Sequence, residues 1–173
     1  MVSAEDVIQL YQYFLTNGFQ VWLNGGWGID ALLGEQTRPH KDLDMFALVD
    51  DVNRLCELLS CVGYSLKELW SENRWDVDAN GVKTMTGFVL HDPAGRELDV
   101  HALRLNEQGI GIPAWEANDG FILTTQDLAG IGVVAGCEVP CITAEKQVLC
   151  HTGYVLPEYQ IHDLQLLHDT FGV

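Results

Sequence analysis

Residues 22–46 read WLNGGWGIDALLGEQTRPHKDLDMF, and this stretch decides the fold. An apolar run, Phe19 to Leu23, leads into Gly25-Gly26 and a helix-like segment, Trp27 to Leu33, that Gly34 stops. Gln36 to Lys41 is a polar connection. Asp42 to Val49 then reads as a strand. Side chains alternate along a strand, so Asp42 and Asp44 share one face while Leu43 and Met45 take the other.

Working outward, Ala4 to Thr16 carries apolar residues at helical spacing, with Ser3 and Asp6 placed as a capping box and Asn17-Gly18 as the stop. Val52 to Leu59 reads as an amphipathic helix ending near Gly63. Tyr64 to Trp70 and Lys83 to His91 read as strands, and Asp92-Pro93-Ala94-Gly95 as a hairpin turn. Glu97 to Leu105 is the returning strand. Asn106 to Gly120 is a Gly/Pro-rich excursion, and Glu138 to Ile142 a last short strand. Thr143 caps a helix through about Cys150, and Glu158 to Asp169 reads as the final one. This order argues an α+β (α/β-like) fold with a mixed sheet.

The chemistry follows from the same strands. Leu98 and Val100 take the core side of theirs, so Glu97, Asp99 and His101 share its opposite face. If that strand neighbours Asp42–Val49, then Asp42, Asp44 and Asp99 meet on one side of the sheet. Three unpaired carboxylates repel at close range, and divalent cations remove the conflict. Hard oxygen ligands suit Mg²⁺, and two ions about 4 Å apart can clamp the attacking and leaving oxygens of an in-line displacement. Gly25 and Gly26 let the backbone approach a ligand closely, and the helix N-terminus behind them offers free N–H groups to phosphates. Arg38 is placed to grip a β- or γ-phosphate with His40 or Lys41 assisting, or else to pair with Asp30 or another carboxylate. Transfer of a nucleotide from a triphosphate to an acceptor is the chemistry these parts suit.

Composition bounds the partners. The chain has 173 residues and 25 acids against 9 bases, a net charge of −16. That length suits one domain. That charge disfavours nucleic acid, whose phosphates need Lys and Arg, and is compatible with a cationic small molecule. No run reaches the roughly 18 apolar residues of a membrane span, and the start lacks a signal-peptide pattern, so no membrane partner and a cytoplasmic location are expected. The five cysteines should be reduced. Cys137, Cys141 and His151 have the wrong spacing for a zinc site. An EF-hand is excluded because Phe46 and Ala47 stand where a calcium loop needs Gly. Trp70, Trp75 and Trp115 are candidates for an acceptor pocket or for the core. The sequence leaves room for a homodimer.

The segment Trp22 to Phe46 resembles the signature of small antibiotic nucleotidyltransferases of the DNA polymerase β-like superfamily, both the lincosamide nucleotidyltransferases and the aminoglycoside 2''-adenylyltransferase-like proteins. Leu98-Asp99-Val100-His101 resembles the lincosamide group's Leu-Asp-Ile-His, and Val139 to Ile142 and His151 to Tyr154 resemble its C-terminal part. The resemblance is loose between about Asn106 and Cys137. It implies a mixed-sheet nucleotidyltransferase core flanked by helices, over 1–142, with a C-terminal helical segment, 143–173, packed on it. It further implies that Gly25 and Gly26 bind the nucleotide phosphates and that Asp42 and Asp44 bind metal. Asp99 would complete the metal site or act as general base. The expected reaction is Mg²⁺-dependent transfer of a nucleoside monophosphate, AMP from ATP, to a hydroxyl of a lincosamide or aminoglycoside, with release of pyrophosphate. The rival readings are a nucleotidyltransferase acting on another small metabolite, a protein or a tRNA end, a non-catalytic nucleotide-binding or antitoxin-like module, and a nucleotide-sugar transferase.

Overall fold

The computed structural model describes residues 1–117 and 120–173. Among them, one eight-stranded mixed sheet organises the chain. Helix α1 (Ala4–Thr16) begins on the expected capping box: Ser3 Oγ accepts from the Asp6 N–H at 3.2 Å while the Asp6 carboxylate accepts from the Ser3 N–H at 2.9 Å. Strand β1 (Val21–Asn24) runs directly into α2 (Gly25–Leu33), which ends on Gly34 in the left-handed conformation. Strand β2 (Asp42–Leu48), helix α3 (Val52–Ser60) and strand β3 (Ser65–Leu69) follow.

Lys83 to His91 is not one strand. It divides into β5 (Lys83–Thr84), which pairs with the short β4 (Asp76–Val77), and β6 (Gly87–His91), which joins the main sheet. The break falls at Thr86, whose N–H donates to the Asn73 side chain at 2.8 Å instead of to a neighbouring strand. After β7 (Glu97–Leu105) and β8 (Gly111–Pro113) comes β9 (Gly130–Val134), which the sequence reading did not mark. Gly130 and Gly132 occupy its inward positions, and at Gly132 a Cβ would overlap Ala31 of α2. Gly132 lets α2 lie against the strand, and Gly130 admits the backbone of Cys141 and Ile142, so the two glycines that hide the strand's pattern are there for close packing. Strand β10 (Cys137–Cys141) and helices α4 (Ala144–Cys150) and α5 (Glu158–Phe171) complete the chain.

The main order is β3-β6-β7-β2-β1-β10-β9, with β8 on β7. The central pair, β2 and β7, is parallel. One face of the sheet carries Leu23, Leu43, Met45, Leu98 and Val100, all buried, and packs with Val7 and Phe14 of α1 and Leu55 and Leu59 of α3. The opposite face is divided. Part is apolar, where Trp22, Phe46 and Leu103 pack with Leu123 and Ile142. The rest carries the carboxylates. Helices α4 and α5 dock on α2 through Ile29, Ala144 and Leu167. No described helix is long and apolar enough to cross a membrane.

The β6–β7 turn is fastened by a buried carboxylate. Asp92 accepts from the backbone N–H groups of Ala94 and Arg96, both at 2.9 Å, and from Arg96 Nε at 2.6 Å. Arg96 also pairs with Asp6, tying the turn to α1. Burial opposes the Asp92 charge, but these hydrogen bonds outweigh it and hold its pKa below the usual 3.8. Asp92→Asn should therefore cost about 1–3 kcal/mol at neutral pH. A depressed carboxylate stabilises above its unfolded pKa and loses that contribution as pH falls through the folded value. Urea denaturation of wild type and variant should diverge at pH 7 and converge as the pH falls below 3.8.

Candidate active site

Sheet register brings the acidic residues together. Asp42 stands opposite Glu97, Asp44 opposite Asp99 and Phe46 opposite His101 across the parallel β2–β7 pair, while Asn24 of β1 stands opposite Asp44. Parallel partners point to the same face, so the alternation that buries Leu43 and Met45 presents Asp42, Asp44 and Asp99 to one cavity of about 1070 Å³. Glu97 starts the same row but is occupied by Lys41 at 3.0 Å and Lys67 at 2.8 Å.

The electrostatics of this row are adverse. Burial, then the charges of Asp99 and Asp42, push the Asp44 pKa well above its ordinary value. Burial likewise pushes Asp99 up to about 7, although the hydrogen bond from Trp70 Nε1–H to its Oδ1, 2.7 Å, pulls the other way. His101 Nδ1 lies 3.6 Å from Asp99 Oδ1, too far for a hydrogen bond, and burial lowers the His101 pKa to about 4. At pH 7 the imidazole is therefore neutral and leaves the carboxylates without a counter-charge there.

The glycine corner meets these carboxylates directly. Gly25 has φ +56°, the left-handed region, and a Cβ on it would overlap the Asp44 carboxylate. A Cβ on Gly26 would overlap the His40 ring and stand 2.9 Å from Arg38 Nη2. Gly25 and Gly26 thus line the cavity at the start of α2, packed closely against Asp44, His40 and Arg38. Asn24 Oδ1 is buried there and has no hydrogen-bond partner among the described residues.

Arg38 and His40 reach the cavity but are held by other residues. His40 Nε2 pairs with the buried Asp30, whose other oxygen accepts from Thr37 Oγ1 at 2.6 Å. The His40 ring packs against Trp27 at 4.8 Å. Arg38 Nε donates to Asp163 Oδ1 at 3.0 Å and Nη2 to Oδ2 at 2.6 Å. Its guanidinium carbon lies 4.7 Å from the Tyr159 ring centroid. The sequence had offered Asp30 or another carboxylate as Arg38's partner. Asp163 gave no signal, being an ordinary polar residue of a helix 125 positions away.

Beyond Asp99 the wall is aromatic. Phe46 and Trp115 stack at 5.8 Å, His101 meets Trp115 edge-on at 5.0 Å, and Trp70 lies 6.4 Å from His101. Phe121 and Glu72 complete this side. Trp70 and Trp115 line the cavity; Trp75 does not and is half-exposed. Cys137, Cys141 and His151 form no metal-binding group among the described residues, and the cysteines are free.

The donor set suits hard divalent cations: carboxylates from two adjacent strands, with Asp44 and Asp99 pushed up by burial and by neighbouring charges, beside the glycine start of a helix. Among the described residues, however, the side chains are not drawn into a finished cage of three ligands.

Solved structures share this arrangement of strands and helices. The crystal structure of the lincosamide antibiotic adenylyltransferase LnuA, lincomycin-bound, superposes with a TM-score of 0.78 at 25% identity, covering 96% of each chain. That of ANT(2'')-Ia with adenylyl-2''-tobramycin gives 0.71 at 19% identity, covering 98% of this chain and 89% of that one, a likeness of fold. A lincosamide resistance protein of Staphylococcus haemolyticus is 27% identical over 166 residues, 96% of this chain and 94% of its own. Fold, site and kinship together define a nucleotidyltransferase-type enzyme. Within that class the chain belongs to the aminoglycoside-2''-adenylyltransferase family, whose profile matches residues 6–167.

A carboxylate crowded by its neighbours costs stability that a neutral isostere restores. Asp44→Asn should accordingly raise the melting temperature of the metal-free protein. Differential scanning calorimetry in a chelating buffer checks the sign; a fall would show that Asp44 is internally compensated.

Proposed function

We propose that the enzyme transfers AMP from ATP to a hydroxyl of a lincosamide-like acceptor and releases pyrophosphate. The observation that carries this reading is the register pairing of Asp44 with Asp99 beside the Gly25–Gly26 corner, where Asp44 lies too close for any side chain on Gly25. Gly25, Gly26 and Arg38 hold the phosphates, and His40 fixes the loop that carries Arg38 against α2 through its pair with Asp30. Asp42 and Asp44 would hold two magnesium ions, with Asp99 closing the set. Such ions, when bound, neutralise the acidic row and acidify an acceptor hydroxyl.

The chain's own residues do the rest. Phe46, Trp70, Trp115 and Phe121 exclude water from the acceptor side and seat an apolar face of the acceptor. The acceptor oxygen forms a bond to the α-phosphorus, the bond from that phosphorus to the bridging oxygen of pyrophosphate breaks, and the hydroxyl proton passes to Asp99. Trap and orientation carry much of the rate, and the carboxylate base typically adds 10²–10⁴-fold. Trp70 Nε1–H donates to Asp99 Oδ1 and orients the carboxylate.

Among the described residues the aromatic wall carries Glu72 and Glu116 at its rim, the latter paired with Arg74, and an apolar wall of this kind favours an amphiphilic acceptor. Similarity to the lincosamide proteins at 25% and 27% identity, against 19% for ANT(2'')-Ia, points the same way.

The test incubates the protein with each NTP, Mg²⁺, and lincomycin or tobramycin, and weighs the products by mass spectrometry. An adenylylated lincomycin with stoichiometric pyrophosphate is expected. Asp99→Asn should lower kcat at least about 10²-fold with the fold intact. A tobramycin adduct alone would replace the acceptor assignment. Absence of adduct with any NTP across the panel, or undiminished turnover in the variant, would contradict the proposal.

A further inference from the structure

Asp163 is an expensive residue. It lies on α5, 1% exposed, and its contact is the Arg38 guanidinium. The helix is already docked by Leu167 against Ile29 and Ala144. Burying an ion pair gains little stability over an apolar pair of similar volume, because both charges must be desolvated. Burial also works against the Arg38 charge, and the hydrogen bonds and charge of Asp163, joined by the charge of Asp30, together outweigh it.

We infer that Asp163 is a positioning residue that holds Arg38 in the orientation needed to receive the triphosphate, so that the C-terminal helix sets nucleotide affinity. This rests on the phosphate role proposed for Arg38. The guanidinium is a planar fork with two usable edges. Asp163 takes the Nε–Nη2 edge, at 3.0 and 2.6 Å. The remaining nitrogen, Nη1, makes one long bond of 3.3 Å, to the Pro39 carbonyl. The side chain keeps 22% exposure and lines the cavity with Gly25 and Gly26, so the free edge has room for phosphate oxygens. Tyr159, also on α5, covers the guanidinium face. One helix therefore fixes the fork in both its plane and its rotation, leaving binding to order less of a flexible side chain. The carboxylate itself is buried behind the guanidinium, where it does not compete with the ligand for the open edge.

The experiment is a double-mutant cycle read by isothermal titration with ATP and Mg²⁺, and by steady-state kinetics. Arg38→Ala should weaken ATP at least tenfold. Asp163→Asn should weaken it about five- to tenfold, raise KM for ATP, and leave acceptor affinity and kcat within about twofold. In the Arg38→Ala background Asp163→Asn should add nothing, since its effect passes through Arg38. A purely structural role would move acceptor affinity as well. If Arg38→Ala weakens ATP but Asp163→Asn does not, strengthens it, or adds its full effect in the double variant, the inference falls while the phosphate role stands. If Arg38→Ala leaves ATP binding unchanged, both fall. Should Asp163→Asn fail to fold, Asp163→Glu carries the test, since it keeps the charge and displaces the fork. Weaker ATP binding then supports the inference, and unchanged binding overturns it.

Discussion

Two carboxylates placed side by side on adjacent parallel strands, Asp44 of β2 and Asp99 of β7, are the constraint around which the molecule is arranged. Their mutual repulsion in a buried setting is adverse by itself, and the fold supports it with a large apolar layer beneath. Leu43, Met45, Leu98 and Val100 alternate with the acids on the same two strands and are sealed by α1 and α3. The period of two that makes the core therefore also makes the acidic row. A one-residue slip of β2 against β7 would destroy both together.

Much of this was legible because period and chemistry coincide in short segments. Ala4 to Thr16, Glu97 to Leu105 and the Asp92–Gly95 turn could be read from local pattern, since each is specified by neighbours in sequence. The meeting of Asp44 with Asp99 could be stated only as a condition, that two strands be neighbours, and the parallel register fulfils it. Strand β9 was not legible: of the glycines at its inward positions, Gly132 packs under Ala31 and Gly130 against the backbone of Cys141 and Ile142, and they leave no hydrophobic alternation to read. The break at Thr86 was hidden for a different reason, because it depends on the Asn73 side chain, which lies outside the strand.

The surroundings of the site were the least legible part. That Arg38 needed a partner could be argued from its charge, but Asp163 lies on the last helix, and nothing local distinguishes it from a solvated helix residue. The same holds for Trp70, whose indole reaches Asp99 from beyond the end of an exposed edge strand. Contacts of this kind are made by docking of whole elements, so they appear only when the elements are placed. They also join regions: the acidic row belongs to the sheet, the glycine corner beside it to α2, and Arg38 at the cavity is paired with Asp163 of α5.

Asp42, Asp44 and Asp99 are proposed to form a divalent-cation site. Titration of Mn²⁺ into the protein with a non-hydrolysable ATP analogue, followed by electron paramagnetic resonance of the free ion, tests it directly. Two Mn²⁺ should bind per chain, with binding falling sharply in Asp44→Asn while the fold is unchanged. Equal Mn²⁺ binding by wild type and Asp44→Asn, or none by either, would contradict it.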